Sequence, residues 1–302
     1  MAKRLKVSTT PFRPAAAQAR NASGVVDLGG GRCAFVDNRD GSALLELALD
    51  ADGAQVGPLL TRPLSGVAHG DLTDPEGLTL VDYAGTRYLI AASSLGARRK
   101  GVDPPGGLVR IIYSPDGHLH AESIPDFRGW LLEHYPALRK AAGRTPDDGG
   151  LNIEGVAWDP SRGELLFGLR SPTAPPHAMV LRVGLDASAP WTRAALTAGP
   201  TLLVCSSTSP TKGIRDLTYD PGCQQFLLLL GRSVGGHQGV PFELCTWDGT
   251  NTETTTLPVK FAGSMKPEGV TVFTVDDDRH VLIVDDGGGF ATIRACNLPG
   301  WS

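Results

Sequence analysis

The chain is poor in cysteine. It has five in 302 residues, at 33, 205, 223, 245 and 296, and no C-x-x-C. An odd count without paired spacing argues against a disulfide framework and a thiolate zinc site. Four of the five lie in or beside apolar runs, where free thiols pack as small hydrophobes.

Other absences narrow the field. No run approaches the roughly 18 apolar residues of a membrane span. The basic start, MAKRLKVSTTPFRP, lacks the apolar stretch of a secretion signal, so a cytoplasmic location is expected. No long basic block stands out, and the net charge is −4, from 28 basic and 32 acidic residues. That argues against nucleic-acid partners. There is no G-x-S-x-G elbow, no P-loop and no cluster of histidines.

What is abundant is glycine, 38 of 302, with 23 prolines. Both punctuate turns, so many short elements are expected rather than a few long helices. A Glu-Gly pair heads an apolar run three times: "DPEGLTLVD" from Asp74, "NIEGVAWDP" from Asn152 and "KPEGVTVF" from Lys266. Two degenerate copies, "NASGVVDLGG" and "KGIRDLTYDP", fit the same frame. The aligned position reads Ser23, Glu76, Glu154, Arg215, Glu268, at spacings of 53, 78, 61 and 53 residues.

Each copy continues alike. Second strands read "RCAFVDN", "RYLIAAS", "ELLFGLR", "QFLLLLG" and "HVLIVDD"; third strands read "ALLELAL", "GLVRIIY", "AMVLRVG", "FELCTW" and "ATIRAC". They are too short for helices and are bounded by turn residues. A fourth strand can be drawn in some copies. A unit of three to four antiparallel strands at this period predicts one all-β domain over 1–302, a β-propeller of five blades, with six as the alternative. The N-terminal "RLKVST" is expected to complete the last blade and remove an open sheet edge. The 78-residue interval holds "DFRGWLLEHYPALRKAAG", with Trp130, Leu131, His134, Leu138 and Ala142 near helical spacing. It predicts a helical insertion around 126–143, capped by Asp126, ended by Gly143 and divided or kinked at Pro136.

In a propeller the inner strands line a central channel, so the aligned side chains should meet at one mouth. Three carboxylates about 5 Å apart repel by roughly 3 kcal/mol per pair at an effective dielectric near 20. Two offsets are open. A hard cation, calcium before magnesium, could be held by Glu76, Glu154, Glu268 and Asp216. Alternatively Arg215 bridges glutamates without metal. The second-strand ends supply Arg170 and Arg232, and the neighbouring loops Arg98 and Lys266, as binding groups for a small anionic substrate. Glu154, Arg215 and a loop histidine, His237 or the corresponding His177, are the catalytic candidates.

The ordered set "LNIEGVAWDP", "LLFGLRSP", "KGIRDLTYD" and "KPEGVTV" resembles the bacterial family catalogued as domain of unknown function 3616, over about Ser23 to Asp286. More distantly it is similar to propellers called esterase-like or phytase-like. The resemblance implies a β-propeller and no established reaction. The phytase-like label would imply phosphoester hydrolysis with calcium. By motif it carries over to Glu76, Glu154, Arg215, Asp216 and Glu268, and Ser23 departs from the pattern. The expectation is a metal-assisted hydrolase of a small anionic ester, phosphoester or lactone. The alternatives are a non-catalytic binding propeller and a non-hydrolytic acid–base enzyme. Oligomeric state is not legible.

Overall fold

The computed structural model describes residues 4–13, 19–68, 70–83, 85–99, 104–115, 118–205, 212–235 and 239–301. Strands dominate it, and the five sequence repeats become five antiparallel arrays. Their inner strands are Ala22–Gly29, Pro75–Tyr83, Asn152–Asp159, Lys212–Asp220 and Pro267–Val275. These neighbour one another in a closed cycle, first to second and onward to the fifth, which lies against the first. Strands stacked outward from a central ring of inner strands are the arrangement of a β-propeller.

Each inner strand is followed by the second and third strands that the short, turn-bounded apolar runs predict, and a fourth is present in every array. The outermost strands of the first two repeats also meet side by side, pairing Leu64 with Leu119 and Ser65 with His120 in parallel. Large apolar side chains fill the spaces between neighbouring sheets. Leu78, Leu89 and Val109 pack with Val36 and Leu44 between the first two repeats. Ile214, Phe226 and Leu228 pack with Ala157 and Leu166 between the third and fourth.

Closure differs from expectation. "RLKVST" does not complete the last sheet: its Leu5–Val7 runs parallel to Val259–Phe261. The closing strand is the next one, Thr10–Pro11, which pairs with Phe290 and Gly289 on the outer side of the fifth array. A two-residue ladder suffices because Phe12 anchors it, stacked on Phe35 at 5.2 Å and on Phe290 at 5.5 Å.

The insertion is helical and broken where proline demands it. A helix over Phe127–His134 gives way at Pro136–Leu138 to a tighter turn, then to a short helix at Arg139–Ala142. Phe127, Trp130, Leu131 and Leu138 are buried against the second and third sheets. Asp126 does not cap the helix with its side chain. Its carboxylate lies 3.1 Å from Arg193 instead. His134, placed on the apolar stripe by spacing, is exposed and stacks on Trp130 at 4.5 Å. Among the described residues, no helix is long and apolar enough to cross a membrane.

Candidate functional site at the channel mouth

Why the motif is Glu-Gly is visible in the backbone. In four repeats the aligned residue, Glu76, Glu154, Arg215 or Glu268, lies between two paired positions where the register slips by one. Such a bulge bends the strand and re-aims one side chain. In the first repeat the slip falls at Gly24 instead. The glycine that follows serves close approach. A Cβ on Gly77 would lie 2.8 Å from Val156 N, and one on Gly155 would lie 2.8 Å from Asp216 Cα. Side chains there would push the ring of inner strands open.

The bulged side chains converge. Arg215 Nε donates to Glu268 Oε2 at 2.7 Å, and its Nη2 also contacts that oxygen. The same Nη2 lies 3.0 Å from Glu154 Oε2. Glu154 Oε1 accepts from Asn152 Nδ2 at 2.6 Å and from Arg170 Nη1 at 3.2 Å. Arg170 is braced from the insertion side by Asp147, 3.1 Å away. That residue belongs to a turn at Pro146–Asp148, and its carbonyl accepts from Gly235 N at 3.1 Å. Glu76 is on the other side of the ring and, among the described residues, has neutral donors only. Ser23 Oγ donates to its Oε2 at 2.6 Å, and Asn38 Nδ2 reaches its Oε1 at 3.4 Å.

This asymmetry sets the protonation pattern. Burial, reinforced by the charges of Glu154, Asp74 and Glu268, raises the Glu76 carboxyl well above its ordinary value, against the smaller pull of the Ser23 hydrogen bond. Burial pushes Glu268 up to about 7 even though Arg215 opposes it. Arg215 is held charged by Glu154 and Glu268, which outweigh its own burial. Three carboxyls thus share the ring with two guanidinium groups, and burial favours the protonated form of Glu76, which has no cationic partner among the described residues.

Asp216, expected among metal ligands, is not in this ring. Its Oδ1 accepts from Leu217 N at 2.8 Å and its Oδ2 from Val270 N at 2.7 Å. It replaces the repeat's glycine and fastens neighbouring inner strands together. A metal does not suit what remains. Arg215 stands between Glu154 and Glu268, and a guanidinium there repels a cation. Among the described residues, no three His, Cys, Asp or Glu side chains come together to hold an ion. The donor set therefore does not fit calcium or magnesium.

The ring forms the floor of a cavity of about 690 Å³. Arg170, Arg232 and Lys266 line it as the repeat spacing predicts, and so do Arg4 and Lys260 from the paired N-terminal and Val259–Phe261 strands. Lys266 lies 3.7 Å from Asp286, which also lines the cavity. Burial raises the Asp286 carboxyl against the pull of Lys266. Six basic side chains face four acidic ones here, in a chain whose net charge is −4. Arg98 is elsewhere, in an adjoining cavity of about 1100 Å³ that shares Asn38 and Asp286 as wall residues. His177 lines neither cavity. His237 lies outside the described residues.

The sequence reading missed Asp147, Arg4, Lys260 and an apolar wall that includes Phe242 and Phe261. None recurs in the repeat, so spacing gave no signal for them.

No family model matches the chain, and no curated protein matches it. Among solved structures it is similar to Sqt1 of Saccharomyces cerevisiae at 12% identity and TM-score 0.36, over 87% of this chain and 68% of that one. It is also similar to a mutant of the GH43 protein BlXynB from Bacillus licheniformis, at 11% identity and TM-score 0.48. That similarity covers 95% of this chain and 54% of the other, so the chain spans about half the length of that protein.

Proposed function

We propose that the channel mouth binds a small anionic molecule and hydrolyses it by acid–base chemistry, with Glu76 as the acid. We read the five arrays as five propeller blades, and the ordered inner-strand motifs as those of the domain of unknown function 3616 family. The observation that carries the function is the pairing of a buried carboxyl, whose protonated form burial favours, with a cation-rich cavity. Arg232 lines that cavity without an ion-pair partner among the described residues. Such a guanidinium is a natural seat for a carboxylate or phosphate. A carboxyl whose proton is held more firmly than usual can give it to a leaving oxygen. Water would add its oxygen to the acyl carbon or phosphorus, and the leaving oxygen would take the Glu76 proton. The proton released from that water would restore Glu76.

One observation favours a second reading, a binding propeller without chemistry. Glu154, a second carboxylate of the ring, already contacts Arg170, Arg215 and Asn152. It is less able to activate water than a carboxylate without such partners.

The test is turnover of a panel of small carboxylate esters, phosphoesters and lactones by the native chain and by Glu76→Gln. The expected result is hydrolysis that falls about 100-fold or more in kcat with the melting temperature kept. Full activity in Glu76→Gln would remove the acid role. Anion binding with no turnover anywhere in the panel would favour the binding propeller.

A further inference from the structure

The cavity above the ring has two unlike halves. One is the charged floor and rim already described. The other is an apolar wall contributed by the segment before the third strand of the fourth repeat and by the link to the fifth. Val240 and Phe242 come from the first, and Phe261 and Met265 from the second. Met265 is buried, while Val240, Phe242 and Phe261 are half-buried and face the cavity. The two phenylalanine rings meet edge to face, with centroids 6.3 Å apart and planes at 80°.

This wall is built into the site rather than merely near it. Gly231, in the second strand of the fourth repeat, has no side chain where the two halves join. A Cβ there would lie 2.7 Å from Phe242 Cε1 and 2.9 Å from Arg215 Cγ. The Phe242 ring and the aliphatic stem of Arg215 therefore meet over Gly231. An apolar surface adjoins the guanidinium that anchors the carboxylate ring. Hydrophobic walls with a few placed charges are how small-molecule pockets fix both affinity and orientation. A ligand that is anionic throughout would leave the wall wet. A ligand with a flat apolar body would cover Phe242 and Phe261 while its anionic group met Arg232, Arg170 or Lys266.

We infer that this mouth takes an anion attached directly to a planar apolar group, such as an aromatic carboxylate or an aryl phosphate. The inference rests on the proposed anion site and adds the second half of its ligand.

Calorimetric titration at fixed ionic strength tests it, with acetate, inorganic phosphate, benzoate and 1-naphthoate as probes. The native chain is expected to bind 1-naphthoate at least about tenfold tighter than acetate, with benzoate between them. Phe242→Ala and Phe261→Ala should each shrink that ratio several-fold, with the loss falling on naphthoate rather than on acetate or phosphate. Should either alanine variant fail to fold, Phe242→Leu keeps the bulk, loses the flat face and should still lower the ratio. Gly231→Ala should lower it too, because the new methyl displaces the Phe242 ring.

Equal binding of acetate and naphthoate would overturn the inference and leave the acid–base reading standing. So would a naphthoate preference that survives both phenylalanine substitutions. Naphthoate preference without turnover of any ester, phosphoester or lactone in the panel would support the inference and sink the acid–base reading. No binding of any of the four anions would overturn both.

Discussion

Asp216 Oδ2 accepts the Val270 amide at 2.7 Å, a bond that ties the inner strand of the fourth repeat to that of the fifth. The other oxygen takes the Leu217 amide at 2.8 Å. Because the residue is buried, those amides have no water to turn to. Asp216→Ala should therefore destabilise the chain by about 3 kcal/mol or more, read as a lower midpoint in urea with an unchanged slope. A loss under about 0.5 kcal/mol would show that the strand ring does not depend on it.

The raised carboxyls make stability depend on pH in a definite direction. Above the ordinary glutamate value of 4.5, the folded chain keeps protons on Glu76 and Glu268 that the unfolded chain has released. A folded state that binds more protons loses stability as pH rises. The contribution of Glu268 is full below 4.5 and declines until pH passes about 7. The melting temperature should fall from pH 5 to pH 8 on account of these groups. Glu76→Gln carries a neutral amide at every pH and should make that fall shallower. A steeper fall in the variant would contradict the placement of the proton.

Ser23 offers a finer probe of the same proton. Its hydroxyl bond to Glu76 favours the ionised carboxylate, opposing burial. Ser23→Ala should raise the Glu76 value further and move the alkaline limb of the pH–rate profile upward. An unchanged limb, with activity retained, would mean that another group supplies the proton.

Asp147 reaches the mouth from the helical insertion and holds Arg170 from behind. Its side chain is 70% exposed, so the pair should add under about 1 kcal/mol to stability. Asp147→Asn should leave the melting temperature within a degree or two. KM for an anionic substrate should rise about three- to tenfold with kcat little changed, because Arg170 loses its fixed direction. An equal loss in kcat would place Arg170 in the chemistry rather than in binding.

Much of this architecture was readable from the chain because the repeat is physical as well as textual. The Glu-Gly pair recurs where a bulge must aim one side chain inward and a missing Cβ must let the next strand close in, as Gly77 and Gly155 do. Pro136 announced the break in the insertion. Asp216 was not legible, because the bulge at Arg215 breaks the strand alternation that would otherwise tell which way its side chain points. Asp147, Phe242 and Phe261 were not legible. They come from connections between the repeat's strands, Phe261 from a short extra strand, and only the folded ring brings them to the cavity. The closing strand was misplaced by a few residues because a two-residue ladder has no periodicity to detect. Its anchor is Phe12 between Phe35 and Phe290.

That closing ladder has a consequence for how the protein folds. Thr10 and Pro11 pair with Phe290 and Gly289, which are far from them in sequence. Until the two segments meet, the strand edges they cover stay bare. Long-range closure of this kind is slow and exposes strand edges meanwhile. Substitutions that remove the Phe12 anchor should therefore leave the ring slow to close and prone to clump.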